Sequence, residues 1–148
     1  MRLVERTLLE LNATFDGSAW HGTPFRRILD GVDEEKANAR PLADAKTIGE
    51  LLAHATAWIE IVQRRLEGEI VNPTPEEDFP SVEGVSWDAA LARLDAAHTR
   101  LVDTVARMSD SDFDDLVPGK SYDAYTMIQG VMHHSAYHSA QIVMLKKM

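Results

Sequence analysis

The chain has 148 residues, 45% hydrophobic and 26% charged, a balance that reads as one soluble globular domain, 1–148, with a single substantial core. There is no cysteine, which excludes disulfides, thiolate metal sites and a cysteine nucleophile. A formal net charge of -9 argues against nucleic acid as a partner, because a phosphate backbone is bound through clustered Lys and Arg that displace counterions.

From Arg2 to Phe15, the apolar residues Leu3, Val4, Leu8, Leu11 and Phe15 follow helical spacing, and Asp16-Gly17 stops the run. Glu5 and Glu10 interrupt its apolar pattern and no small-residue cleavage site follows, so the segment is not read as a signal peptide and a cytoplasmic location is expected. "SAWHGTPFRRILDGV" offers Thr23 as a cap with Pro24 at the first helical position, predicting a short helix that ends at Gly31. A second short turn is predicted from Asp33 to Ala39, ending before Pro41. Gly17, Gly22 and Gly31 read as turn residues, and Trp20, Trp58 and Trp87 as core.

Between Asp44 and Gly68 the positions Ile48, Leu51, Leu52, Ala55, Trp58, Ile59, Val62 and Leu66 keep an i, i+3/i+4 rhythm, which predicts a long helix. The segment Gly68 to Ser86 holds three of the six prolines and is expected to be a loop able to cover an opening. The carboxylate runs "EEKANAR" and "PEEDF" read as solvated faces. Ser86 caps the next helix, whose buried stripe is Leu91, Leu94, Ala97 (or His98), Leu101, Val105 and Met108. The last helix is expected from about Tyr122 to Lys147, with Lys146 and Lys147 opposing the negative pole of its macrodipole. Ala124 to Leu145 lacks Lys, Arg, Asp and Glu over a membrane-span length, yet its three His, two Gln and several hydroxyls fit a core helix better, so no membrane partner is expected.

With no repeat, low-complexity tract or convincing strand, these elements predict an all-α four-helix bundle. A long connection containing short helices separates its first and second long helices, so simple up-down-up-down order does not follow.

On the last helix Met127, Val131, His134, His138, Gln141 and Leu145 are spaced four, three, four, three and four, the seam that faces a bundle interior. Residues at i and i+4 share a face, so His134 and His138 can point at one atom, as two ligands of a divalent metal require. His133 is rotated about 100° away. A third ligand is needed, and His54, between Leu51 and Trp58 on the buried edge of the second long helix, supplies it. Buried histidines ordinarily serve as hydrogen-bonded core residues, but two in consecutive turns of a seam each need a polar partner, which one metal provides.

"IGELLAHATAWIEIVQRRLEGE" together with "VMHHSAYHSAQIVMLKKM" resembles the DinB/YfiT-like metalloenzyme family, and "AWHGTPFRRILDGVDEEKANARP" is similar to that family's early connecting region. The resemblance covers most of the chain. It implies a four-helix bundle, commonly a homodimer, with a divalent metal held by one His of the second long helix and a His-x-x-x-His pair on the last: His54, His134 and His138 here. The family often has an acidic residue after the first His of the pair and Gly before the Gln, where this chain has Ser135 and Ala140.

Three neutral imidazoles leave a divalent ion (Zn, Ni or similar) its full charge and an open position at which water or a thiol is acidified. The zincin motif requires Glu directly after His134, and the di-iron pattern requires Glu-x-x-His; neither is present. The family includes transferases that use a low-molecular-weight thiol. The resemblance therefore implies a metal-dependent, thiol-dependent transferase or a hydrolase acting on a small molecule. The competing class is a non-catalytic, stress-associated bundle with a structural or adventitious metal. Tyr122, Tyr125, Tyr137 and Gln141 are candidate donors near the site.

Overall fold

The computed structural model describes residues 1–148 and contains helices and turns, with two isolated bridges and no strand. Helix α1 (Leu3–Asp16) begins where Glu5 reaches back to the Arg2 N–H, at 3.1 Å. Asp110, far along the chain, accepts from the first two helical N–H groups, Leu3 and Val4, at 3.0 Å each. That carboxylate satisfies two donors no helix can pair internally and lies at the positive end of the dipole.

Helix α2 (Phe25–Ile28) starts one residue later than expected. Pro24, not Thr23, takes the cap position, and its carbonyl accepts from Arg27 and Ile28 N–H. Gly31, at φ +77°, then turns the chain in a conformation that a side chain would strain. Helix α3 (Glu34–Asn38) is capped by Asp33, whose carboxylate accepts from Lys36 N–H at 2.8 Å.

Helix α4 (Ile48–Leu66) begins four residues after Asp44, because Thr47 and Glu50 form a reciprocal capping box that fixes the first turn. The Gly68–Ser86 segment is not entirely loop. Thr74 and Glu77 form a second capping box, with Pro75 at the first helical position, and build the single turn of α5 (Pro75–Asp78).

Helix α6 (Trp87–Ala106) is capped by Ser86 as expected and buries Leu94, Ala97, Leu101 and Val105, with Leu91 and Met108 at the edge of the stripe. His98 is half-buried with its ring stacked 3.7 Å from that of Phe15. A 3-10 turn at Asp110–Asp114 brings fully buried Phe113 beneath the bundle. Helix α7 (Ala124–Lys146) starts at the Asp123 cap, and Lys146 donates to the carbonyls of Ile28 and Asp30, tying its C-terminus to α2.

The four long helices close a bundle in which α4 packs on α6 and α7, and α1 on the other side of the same pair. Cross-helix partners give the directions. Glu60 meets Arg93 and Glu67 meets Arg107, so α4 and α6 run parallel; Asn12 meets His98 and Val4 meets Asp110, so α1 opposes α6. His54 meets His134 and Arg65 meets Tyr122, so α7 opposes α4. The order is up-down-down-up, and the long Gly68–Ser86 crossover is what parallel α4 and α6 demand. One cluster of 26 buried residues fills the interior. Within it Leu52, Leu94 and Ile142 are fully enclosed, each contributing about 1.5–3 kcal/mol relative to exposure.

Trp87 is in the core, but Trp20 is fully exposed and Trp58 half-buried. Trp20 lies in the tight turn closed by the Ala19–Gly22 bridge, outside the bundle, and so has no interior to enter. No helix is long and apolar enough to cross a membrane.

Candidate metal centre

Antiparallel α4 and α7 set His54 opposite His134, eighty residues later in the chain. Consecutive turns of α7 then stack His138 over His134, as their i, i+4 spacing dictates. His54 Nε2 and His138 Nε2 each lie 3.0 Å from His134 Nε2, and one ligand atom from each of the three falls within 4.8 Å of the others. No carboxylate joins them at that range. His133 is exposed, as its rotation predicts.

The outward ring nitrogens determine which way the lone pairs point. His54 Nδ1 donates to the Asp78 carbonyl at 2.7 Å, and His138 Nδ1 donates to Gln141 Oε1 at 2.6 Å. Each neutral imidazole carries one N–H, so both Nε2 atoms present a lone pair inward. Tetrahedral coordination with bonds near 2.0–2.1 Å separates ligand nitrogens by about 3.3 Å, so the observed 3.0 Å spacings need to open by only about 0.3 Å. His134 Nδ1 is buried without a partner, the one ligand-face histidine whose ring no protein group orients. The three histidines therefore could hold a metal ion.

Burial disfavours protonation of the two α7 rings. His134 is pushed down to about 4, first by loss of solvent and then by its neighbours His138 and His54, with Asp78 opposing. His138 is also lowered by burial, against an upward pull from its bond to Gln141.

Several side chains at the site were not anticipated. Asp78, read as part of a solvated run, backs His54 with its carbonyl and places Oδ1 3.3 Å from the same ring nitrogen, where it also accepts from Trp58 Nε1 at 2.7 Å. Phe79 stacks on the His54 ring at 3.9 Å, and Lys46 Nζ lies over the Phe79 ring, 4.6 Å from its centroid. The signal was in the sequence: Thr74-Pro75-Glu76-Glu77 is a capping box with proline at the first helical position, and it predicts the turn that delivers Asp78 and Phe79. Of the four candidate donors, Gln141 orients His138, Tyr137 packs edge-on to His138, and Tyr122 lines the adjoining cavity; Tyr125 stays at the surface.

That cavity, about 410 Å³, opens between α4 and α7 and has His54 and His134 in its wall, together with Trp58, Val62, Arg65 and Tyr122. The histidine cluster thus has a face open to a space that a small molecule can enter.

Comparison with known proteins finds no match among curated proteins or solved structures. The family model of the DinB superfamily matches residues 19–142, a span that includes all three histidines and most of the bundle. The chain belongs to the DinB superfamily.

Proposed function

We propose that His54, His134 and His138 bind one divalent metal ion and that the protein is a metal-dependent enzyme acting on a small molecule. The observation that carries this reading is the inward convergence of Nε2 atoms whose orientations are held from behind by Asp78 and Gln141, beside an open cavity. Partners behind the ligating ring are what fix the tautomer of a metal-bound histidine. Bound there, a divalent cation would acidify a coordinated water or thiol near neutral pH. The chain's own contribution is to disfavour protonation of His134 and His138 by burial, fix the direction of the rings and present an apolar wall of Trp58, Val62, Met127 and Val131 to the rest of the substrate.

Such chemistry serves thiol-dependent transfer or hydrolysis, and cobalt-substituted protein separates the two. A visible spectrum perturbed by a low-molecular-weight thiol supports transfer, and an unresponsive spectrum with an exchangeable water supports hydrolysis. The metal assignment is tested by His138→Ala, which is expected to lose metal while His133→Ala keeps it. Full metal content in His138→Ala overturns the assignment.

The outward face of α7, with Tyr125, His133, Tyr137, Ala140 and Met144 exposed, carries no charged side chain between Asp123 and Lys146. A helix uncharged on both faces suits symmetric pairing, and we propose a homodimer across this surface.

A further inference from the structure

Arg65 is 4% exposed and enters none of the chain's ion pairs, whereas its exposed neighbours Arg64, Arg93 and Arg107 each meet a carboxylate. A buried arginine without an anion is unusual, because the lost hydration of its charge is normally offset by a partner. Its Nε and Nη2 both donate to the Val71 carbonyl, at 3.1 and 2.7 Å, and Nη1 donates to Tyr122 Oη at 3.1 Å. These bonds explain how the side chain is held, and the C-terminal pole of α4 offsets part of its charge. They leave two of the five guanidinium N–H groups unused. Tyr122 Oη, accepting from Arg65, keeps its own hydrogen to give.

Both residues line the same cavity as His54 and His134. Arg65 follows His54 by eleven residues, three turns on, and so lies on the same stripe of α4. Trp58 stands between them. The Arg65 Cζ atom is 5.6 Å from the Trp58 ring centroid, and that ring is 5.9 Å from His134, so the width of one indole bridges the guanidinium and the imidazoles. The only carboxylate in the cavity wall, Asp78, is engaged at the imidazole end by Trp58 Nε1 and His54.

We infer that this cavity takes a small carboxylate whose anionic head is held by Arg65 and Tyr122 and whose apolar body lies along Trp58, Val62 and Met127 towards the three histidines. That the far end meets a metal rests on the proposed function; the anion anchor does not. The planar guanidinium, with one N–H left on each of Nη1 and Nη2, and the Tyr122 hydroxyl offer several donors to one head group, which favours a carboxylate over a bare halide.

The test is calorimetric titration of the full chain with 3-phenylpropionate and with its uncharged counterpart, 3-phenylpropionamide. Wild type is expected to bind the acid about tenfold to a hundredfold more tightly than the amide, the range of hydrogen bonds to a charged group. Arg65→Met is expected to abolish the preference, and Tyr122→Phe, which retains the guanidinium, to reduce it. The His138→Ala protein, stripped with chelator, is expected to keep it. Equal affinity for acid and amide in wild type, or binding of neither at millimolar concentration, overturns the proposal even if Arg65→Met fails to fold. A preference lost in His138→Ala and kept in Arg65→Met also overturns it, placing the anion at the histidines instead. A preference present in a wild-type protein that binds no metal supports the anchor while overturning the metal reading.

Discussion

His134→Leu separates what the histidine cluster contributes to the fold from what it contributes through a metal. In the metal-free protein two effects oppose. The substitution removes a buried Nδ1 that has no partner, a relief of about 1–3 kcal/mol, and it also removes the one N–H that His54 and His138 can share, a loss of about 1 kcal/mol per hydrogen bond. Leucine fills a similar volume between Trp58 and the other two rings, so the cavity cost is small. The net change is expected to lie within about 1 kcal/mol of zero. With zinc at a hundredfold excess over its dissociation constant, wild type is expected to gain about 2.7 kcal/mol by mass action. For a chain of this size that raises the melting midpoint by about 5–11 °C. The variant, with two ligands left, is expected to gain little. Circular dichroism melts of both proteins, in chelator and in zinc, give the four values needed. An unmoved wild-type midpoint, or an equal rise in the variant, refutes the reasoning.

His98 is held down to about 4 by burial against Phe15, with Asp95 and Asp16 opposing, while the unfolded chain titrates near 6.5. The unfolded state takes up the proton first, so the associated stability is complete above about pH 6.5 and is lost as pH falls towards 4. Discounted for partial exposure, it amounts to about 1–2 kcal/mol. Urea midpoints for wild type and His98→Phe at pH 7 and pH 4.5 are expected to differ by that amount in their pH response, and identical responses contradict it. Gln141→Leu removes the acceptor behind His138, and metal affinity by competition with a chromophoric chelator is expected to fall about 10–100-fold; an unchanged value removes Gln141 from the site. Light scattering at micromolar concentration is expected to give twice the 16.5 kDa chain mass, and Tyr137→Glu with Met144→Lys to give the monomer. A wild-type protein that is monomeric across concentration rejects pairing through α7.

The long helices were legible because their stripes are long and their stops are chemical. Ser86 and the last-turn lysine of α7 lie where sequence places them. Apolar rhythm marks the body of α4 from Ile48 but leaves its start open within the stretch after Asp44; the capping box Thr47-Ile48-Gly49-Glu50 is what specifies it. Helix direction was a different matter. Periodicity says which face is buried but not which way a neighbour runs, and only the length of the Gly68–Ser86 crossover hints that α4 and α6 are parallel. Trp20 shows the limit of hydrophobicity alone, since a tryptophan in a four-residue turn has no helix to carry it inward.

Within the site, helical phase proved more informative than charge. His134 and His138 share a seam by spacing, and His54 joins them by lying on the buried edge of α4. The same phase singles out Arg65, three turns beyond His54, although beside Arg64 it looks like half of a solvated pair at a helix end. One position of rotation separates the two: Arg64 points outward to Glu69, and Arg65 is folded under Val71 and Tyr122. Asp78 has no helical phase to reveal it, because it reaches the site on a single turn at the end of a loop. Its position depends on where that loop docks, and the stacking of Phe79 on His54 is the contact that docks it. A histidine cluster carried on two long helices can thus be inferred from spacing, whereas Asp78 and Phe79 behind His54 come from a segment whose placement only tertiary packing decides.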